Sequence, residues 1–236
     1  MMLGTDRWAV RLIRRRVVAP YQNAASLTYE IAPVTILLLL RPDTAFLALY
    51  FGRGIPFMIQ QQDFVQPEQL NFNDDGIFPN SPLPLLFYRD AIRTDAKDPA
   101  SIFEQRFAEN DWTNSWRDGV YSFPHYHSTS HEVLGVYSGA ATLRLGGEHG
   151  KNVEVYPGDV IVIPAGVAHQ NVSASDDFGV VGAYPGGRQW DLLRGLPGER
   201  PKADHNIAAL PIPENDPIYG VEGPLRGIWK SGGKSK

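Results

Sequence analysis

The chain has 236 residues, a formal net charge of −4 and no cysteine. This length suffices for one large domain with a sizeable core, and the missing cysteine excludes disulfide frameworks, thiol nucleophiles, thiolate zinc sites and iron–sulfur clusters. Gly and Pro make up 42 of the 236 residues, about 18% against a background of roughly 12%, which favours a turn-rich β domain over a helix bundle.

The net charge averages two unlike segments. Residues 1–57 hold seven Arg, no Lys and three acids, a balance of +4, whereas residues 58–236 hold 15 basic and 23 acidic residues, a balance of −8. The acidic segment offers no basic stripe that could track phosphates, so no nucleic-acid partner is expected. Arg14-Arg15-Arg16 precede an apolar run from Ile31 to Leu40 and another from Ala45 to Phe51. A membrane span needs about 20 predominantly apolar residues, and Arg41-Pro42-Asp43 interrupt the run first, so no membrane partner is expected. A secretory signal would place its basic residues directly before the apolar run; here residues 17–30, including Glu30, intervene. An Arg-rich, acid-poor leader is also similar in composition to an organelle transit peptide. The preferred reading is an N-terminal extension over 1–57 that lies outside the native fold, with Met58 as the natural start.

Leu70–Phe78 reads as two short strands around the Asp75-Gly76 turn. Pro82 and Pro84 then break the chain before the apolar run Leu85–Tyr88. Asp98-Pro99 opens a helix, with Asp98 as cap, Pro99 in the first turn, and Ile102, Phe103 and Phe107 on the apolar face. It should end near Asn110. From Trp116 to Tyr184 the pattern becomes short β-branched runs separated by Gly, Pro and Ser. Val133–Tyr137, Ala141–Leu145, Val153–Tyr156, Val160–Ile163 and Gly179–Tyr184 are the clearest strands, and their close spacing points to an antiparallel sandwich or barrel. Short helices are expected over Trp190–Arg194 and Ala203–Leu210. The Pro-rich stretch 211–224 reads as surface wrap, and the tail after Trp229 as a frayed end.

Four of the six histidines are His125, His127, His131 and His169. His125 and His127 alternate on an expected strand, so both imidazoles project from one face. Glu132 follows after the Ser128-Thr129-Ser130 turn and can return on a neighbouring strand. His169 follows the tight turn Pro164-Ala165-Gly166 and can enter a strand alongside. Three imidazoles and one carboxylate form a nitrogen and oxygen set suited to a divalent transition metal.

The spacing is Gly119-x5-His125-x-His127-x4-Glu132-x6-Gly139, then Gly158-x5-Pro164-x-Gly166-x2-His169. It resembles the two motifs of the cupin superfamily in their usual order, with nine of ten motif positions matched. The tenth, an Asn, is Ser173; Asn171, on the same strand face as His169, is the nearest substitute. Asp74-Asp75-Gly76, Trp112-Thr113-Asn114, Trp116-Arg117-Asp118-Gly119, Ala183-Tyr184-Pro185-Gly186-Gly187 and Pro197–Pro201 extend the likeness to the YjlB-like bacterial cupins, from about residue 69 to Trp229. The resemblance implies an all-β fold: a cupin double-stranded β-helix, or jelly-roll barrel, with a few short peripheral helices. It assigns His125, His127, Glu132 and His169 as metal ligands, and implies a site without naming a substrate. The expected organisation is the extension over 1–57, N-terminal strands and a helix packing on the barrel over 58–115, a cupin core over 116–184, and a C-terminal wrap and tail over 185–236. A homodimer is expected by analogy, and the expected compartment is the cytoplasm.

Around the ligands, Tyr121 and Arg117 are the candidate catalytic residues. Counting back by two from His125 places Phe123 and Tyr121 on its face, with Arg117 reached if the strand extends; Arg117 would bind a substrate carboxylate. Core packing for Tyr121, and exposure for Arg117, are the plainer alternatives. Tyr184, Arg188 and Trp190 surround a loop that either covers the barrel mouth or is structural. His131 should face away from Glu132 as a surface or supporting residue, while His149 and His205 should be solvated. No Gly-x-Ser-x-Gly elbow, phosphate loop or dinucleotide fingerprint is present. The expected function is a metal-dependent enzyme on a small molecule, with dioxygenase, isomerase or decarboxylase chemistry. The alternative is a non-catalytic cupin that senses or stores a small ligand or metal. Three His and one Glu do not discriminate among Fe, Mn, Ni, Co, Cu and Zn.

Overall fold

A computed structural model describes residues 64–232 and, before them, the backbone of five strands. The chain divides into two units, Met1–Asp63 and Phe64–Lys236. In the first, β1 (Arg15–Val17), β2 (Ala25–Ile31), β3 (Val34–Leu40), β4 (Ala45–Phe51) and β5 (Phe57–Ile59) form an antiparallel sheet in chain order. Apart from this backbone, the leader readings, the extension over 1–57 and the start at Met58 fall outside the described residues.

The second unit places β-branched runs where a sheet is covered on both sides. β6 (Glu68–Phe72), β7 (Ser81–Tyr88), β8 (Trp112–Asp118), β9 (Glu132–Ser138), β12 (Val160–Ile163) and β14 (Gly179–Pro185) make a six-stranded antiparallel sheet, ordered β6-β7-β12-β9-β14-β8. β10 (Ala141–Leu145), β11 (Lys151–Val155) and β13 (His169–Ala174) make a three-stranded sheet ordered β11-β10-β13. Alternate residues of the central strands enter two separate cores, as the two-residue period of a strand requires. Leu86, Val133, Val160, Val162 and Val181 join one core, under α1 (Pro99–Glu109) and α3 (Leu225–Gly232). Leu85, Leu134, Val136, Ile161 and Val180 join the other, shared with Leu143 and Leu145 of the three-stranded sheet. With both faces buried, these strands read as unbroken apolar runs. Gly135 of β9 is where α1 sits closest: a Cβ there would lie 2.2 Å from Phe103 Cδ1. The result is an all-β jelly roll with three short helices, including α2 (Lys202–Ala209). Among the described residues, no helix is long and apolar enough to cross a membrane.

Several expected elements change. Asp75 does not turn a hairpin between 70 and 78; its Oδ1 accepts from the N–H groups of Ile77 and Phe78 at 2.9 and 2.7 Å, and the chain returns only at Ser81. β7 runs through Pro82 and Pro84 instead of starting after them. It tolerates both because β12 pairs only with Leu86–Tyr88, and the β6 register jumps from Leu85 to Ser81, leaving the prolines no ladder bond to make. α1 begins and ends as expected, but the Asp98 carboxylate makes no capping bond and instead holds Arg117 at 3.1 Å. Trp190–Arg194 is not helical, because Leu193 exchanges backbone hydrogen bonds with Tyr126 at 2.9 and 3.0 Å. α3 is anchored by the fully buried Leu225 and Trp229, with Trp229 Nε1 donating to the Pro84 carbonyl at 2.9 Å, and it carries the chain past Trp229 to Gly232; the rest of the expected frayed tail lies outside the described residues.

Candidate metal centre

His125 is set by a single antiparallel bridge to His169, the first residue of β13: each backbone N–H donates to the other's carbonyl, at 3.1 and 2.9 Å. The expected strand over 125–127 is thus one pair of bridges, yet its alternation holds. Tyr126 faces away into a small core with Phe78 and Ala168, while His125 and His127 face the inner cavity. Gly166, at φ +94°, makes the turn that delivers His169. Glu132 opens β9, paired with Ile163 of β12.

His125, His127 and His169 each place a ring nitrogen within 4.8 Å of the others, and all are buried. Glu132 Oε2 lies 3.4 Å from His127 Nε2 and 3.2 Å from His169 Nε2. The hydrogen inventory decides what this convergence means. Each Nδ1 lies at a backbone carbonyl: His125 at Phe123 (3.2 Å), His169 at Val167 (3.2 Å), and His127 at Asp191. A carbonyl only accepts, so each Nδ1 carries a hydrogen, and a ring that is neutral presents its Nε2 lone pair. The Nε2 atoms of His127 and His169 meet a carboxylate oxygen that is buried and has no hydrogen-bond partner. Such an arrangement is satisfied by a cation. The nitrogen and oxygen donor set therefore fits a divalent transition metal, and the carbonyls at Nδ1 fix ring orientation as supporting partners of ligating histidines do.

The protonation energetics couple the carboxylate to His127. Burial, then the neighbouring His169, pushes His125 down to about 3. Burial also opposes a charge on His127, yet Glu132 and the Asp191 carbonyl raise it. Burial works against the Glu132 carboxylate, but His127 and His169 hold it well below the usual carboxylate range.

A further layer was not foreseen from the sequence. Glu132 Oε1 accepts from the Tyr184 hydroxyl at 2.9 Å, which in turn accepts from Trp116 Nε1 at 2.8 Å. The Asp191 carboxylate accepts from Ser128 N and Oγ, both at 2.6 Å, fixing the turn between His127 and Glu132. Asp191 lies 59 residues beyond Glu132 in a segment read as a helix, so no local pattern pointed to it.

Beside the triad lies a cavity of about 320 Å³ bordered by Trp116, Tyr121, Tyr184 and Trp190. Tyr121 reaches it and meets the His125 ring edge-on at 5.1 Å. Arg117 also borders it, but its guanidinium is bonded to Glu104 at 2.6 and 2.8 Å and to Asp98 at 3.1 Å. The loop after Tyr184 brings Trp190 over His127, with ring centroids 5.0 Å apart, while Arg188 is exposed. His131 faces away from Glu132 as expected but is buried rather than on the surface, 4.9 Å from the Trp229 ring. Asn171 follows His169 along β13, its amide oxygen buried and unpartnered. His149 and His205 are exposed.

Comparison with known proteins agrees with this picture. Residues 117–181 match the cupin domain family. The uncharacterised protein YjlB of Bacillus subtilis strain 168 is 43% identical over 159 residues, covering 67% of this chain and 93% of that protein. Among solved structures, acireductone dioxygenase from Bacillus anthracis, with cadmium in its active centre, aligns over 47% of this chain and 78% of its own, at 17% identity and a TM-score of 0.30. Procruciferin, an 11S globulin of Brassica napus, aligns over 33% of this chain and only 21% of its own, at 20% identity and a TM-score of 0.28. At such scores neither structure bears on the chemistry.

Proposed function

The chain belongs to the YjlB-like cupins, and on that premise we propose that it is a metal-dependent enzyme acting on a small molecule. His125, His127, His169 and Glu132 would hold the ion, which is one of Fe, Mn, Ni, Co, Cu or Zn. The observation that carries this reading is a cluster of three buried imidazoles at a buried carboxylate, with the Nε2 atoms of His127 and His169 lying 3.4 and 3.2 Å from a Glu132 oxygen that lacks any hydrogen-bond partner. Bound there, the ion would supply Lewis-acid polarisation of substrate oxygens, or a binding position for dioxygen. This range covers dioxygenase, isomerase and decarboxylase chemistry.

The protein's own part is positioning and proton control. Tyr184 holds Glu132 in place through its Oε1, leaving Oε2 directed at the imidazoles. Burial and the adjacent Glu132 raise the Tyr184 hydroxyl well above its ordinary range, so it keeps its proton and acts as a fixed donor. Trp116, Tyr121, Tyr184 and Trp190 border the space beside the triad with aromatic surface. A cavity of about 320 Å³ next to the ligands supports a substrate-binding role over a purely structural one. Metal analysis of anaerobically purified protein, alongside His127→Ala, tests the reading. About one ion per chain is expected in the wild type and little in the variant, and equal content in both overturns the ligand assignment.

A further inference from the structure

The cavity has two aromatic walls, each adjoining a different imidazole. Tyr121 stacks on Phe123, with centroids 4.9 Å apart and planes at 17°, and Tyr121 meets His125. Tyr184 and Trp190 stack at 5.9 Å and 27°, and Trp190 meets His127. The His125 and His127 rings are 5.7 Å apart, and Tyr121, Tyr184 and Trp190 border the same cavity as both. Tyr121 is 48% exposed and Trp190 36%, whereas Tyr126, packed in the core, is fully buried. Aromatic surface left open in a concave site is a stacking platform for a flat ligand.

Charge narrows the class. Apart from the histidines, Arg117 is the only cation among the described residues bordering the cavity, and its guanidinium is neutralised by Glu104 and Asp98. A divalent ion offset by the Glu132 carboxylate leaves one net positive charge, and Asp118 on the border offsets it further, which suits a neutral or singly charged ligand. A dicarboxylate would bring a second negative charge that no free cation among the described residues bordering the cavity answers. Size narrows it again: the cavity of about 320 Å³ is roughly twice the ~150 Å³ void that takes up benzene, which suits one substituted ring or two fused ones.

We infer that the site selects a planar aromatic molecule with at most one negative charge, of which catechol is the probe, stacked on the Tyr121 and Trp190 walls. This rests on the metal-binding reading above. The test is calorimetric titration of the full-length, zinc-loaded protein with catechol and with malonate, since zinc adds no redox chemistry. Catechol is expected to bind at least about ten-fold more tightly than malonate. Trp190→Ala should weaken catechol by about ten-fold, the scale of one aromatic contact, with zinc content unchanged, and Trp190→Phe should restore it. Malonate binding as tightly as catechol, binding of neither, or unaltered catechol affinity in Trp190→Ala overturns the inference. If Trp190→Ala fails to fold, Tyr121→Ala applies the same criterion to the other wall. A wild-type protein that retains no zinc overturns the metal reading itself, which stoichiometry reports before any ligand is added.

Discussion

His131 and Glu132 are neighbours in the chain and enter opposite faces of the six-stranded sheet. His131 packs against Trp229 on the helix-covered face; its Nδ1 accepts from the Ala165 N–H at 3.0 Å, and burial pushes it down to about 4. It is one neutral ring among apolar neighbours. Glu132 enters the other face, where three further imidazoles cluster and two of them, His127 and His169, place Nε2 at its Oε2. Both faces bury histidine, so burial alone does not mark a metal site. What distinguishes the inner face is convergence: several nitrogen and oxygen ligand atoms meet there.

The comparison is sharpened by perturbing each face and reading both stability and metal content. The largest effect belongs to the outer face. Trp229→Ala should cost about 3–5 kcal/mol in denaturant unfolding, lowering the melting temperature by about 10 °C, while the folded variant keeps its metal. On the inner face, adding metal to chelator-treated wild type at about 100 times Kd should stabilise it by ~2.7 kcal/mol, and His169→Ala should show no such gain in a thermal melt. Tyr184→Phe removes the donor to Glu132 and should weaken metal affinity by about 10- to 100-fold, read by competition with a chromophoric chelator. Smallest is His131→Leu, which keeps packing against Trp229 but orphans the Ala165 N–H, at a cost of about 1 kcal/mol. Metal content in His131→Leu should match wild type, and a loss there would break the distinction between the faces.

The same distinction explains what the sequence could convey. β12 and the centre of β9 were legible because alternate residues fill two cores, giving apolar runs over 133–137 and 160–163, and β10 because Ala141, Leu143 and Leu145 alternate with polar residues and enter one core. The candidate ligands were legible because His125, His127, Glu132 and His169 occupy the spacings of the cupin motifs within two short segments. The supporting layer was not, because its contacts span long separations: Tyr184 lies 52 residues from Glu132, and Asp191 63 from Ser128. The ion pairs of Arg117 were illegible for the same reason, since the carboxylates that hold it come from Asp98 and Glu104 of the preceding segment. The prolines of β7 misled because their tolerance depends on the neighbouring strand's register, which no local pattern encodes.

The central claim is that three imidazoles and one carboxylate share a single ion. X-ray absorption at the metal edge of the loaded protein tests it most directly. The predicted spectrum has a first shell of nitrogen and oxygen, with outer-shell scattering from three imidazoles that diminishes to two in His127→Ala. A shell of oxygen alone, without imidazole scattering, or a spectrum unchanged in that variant, would contradict it.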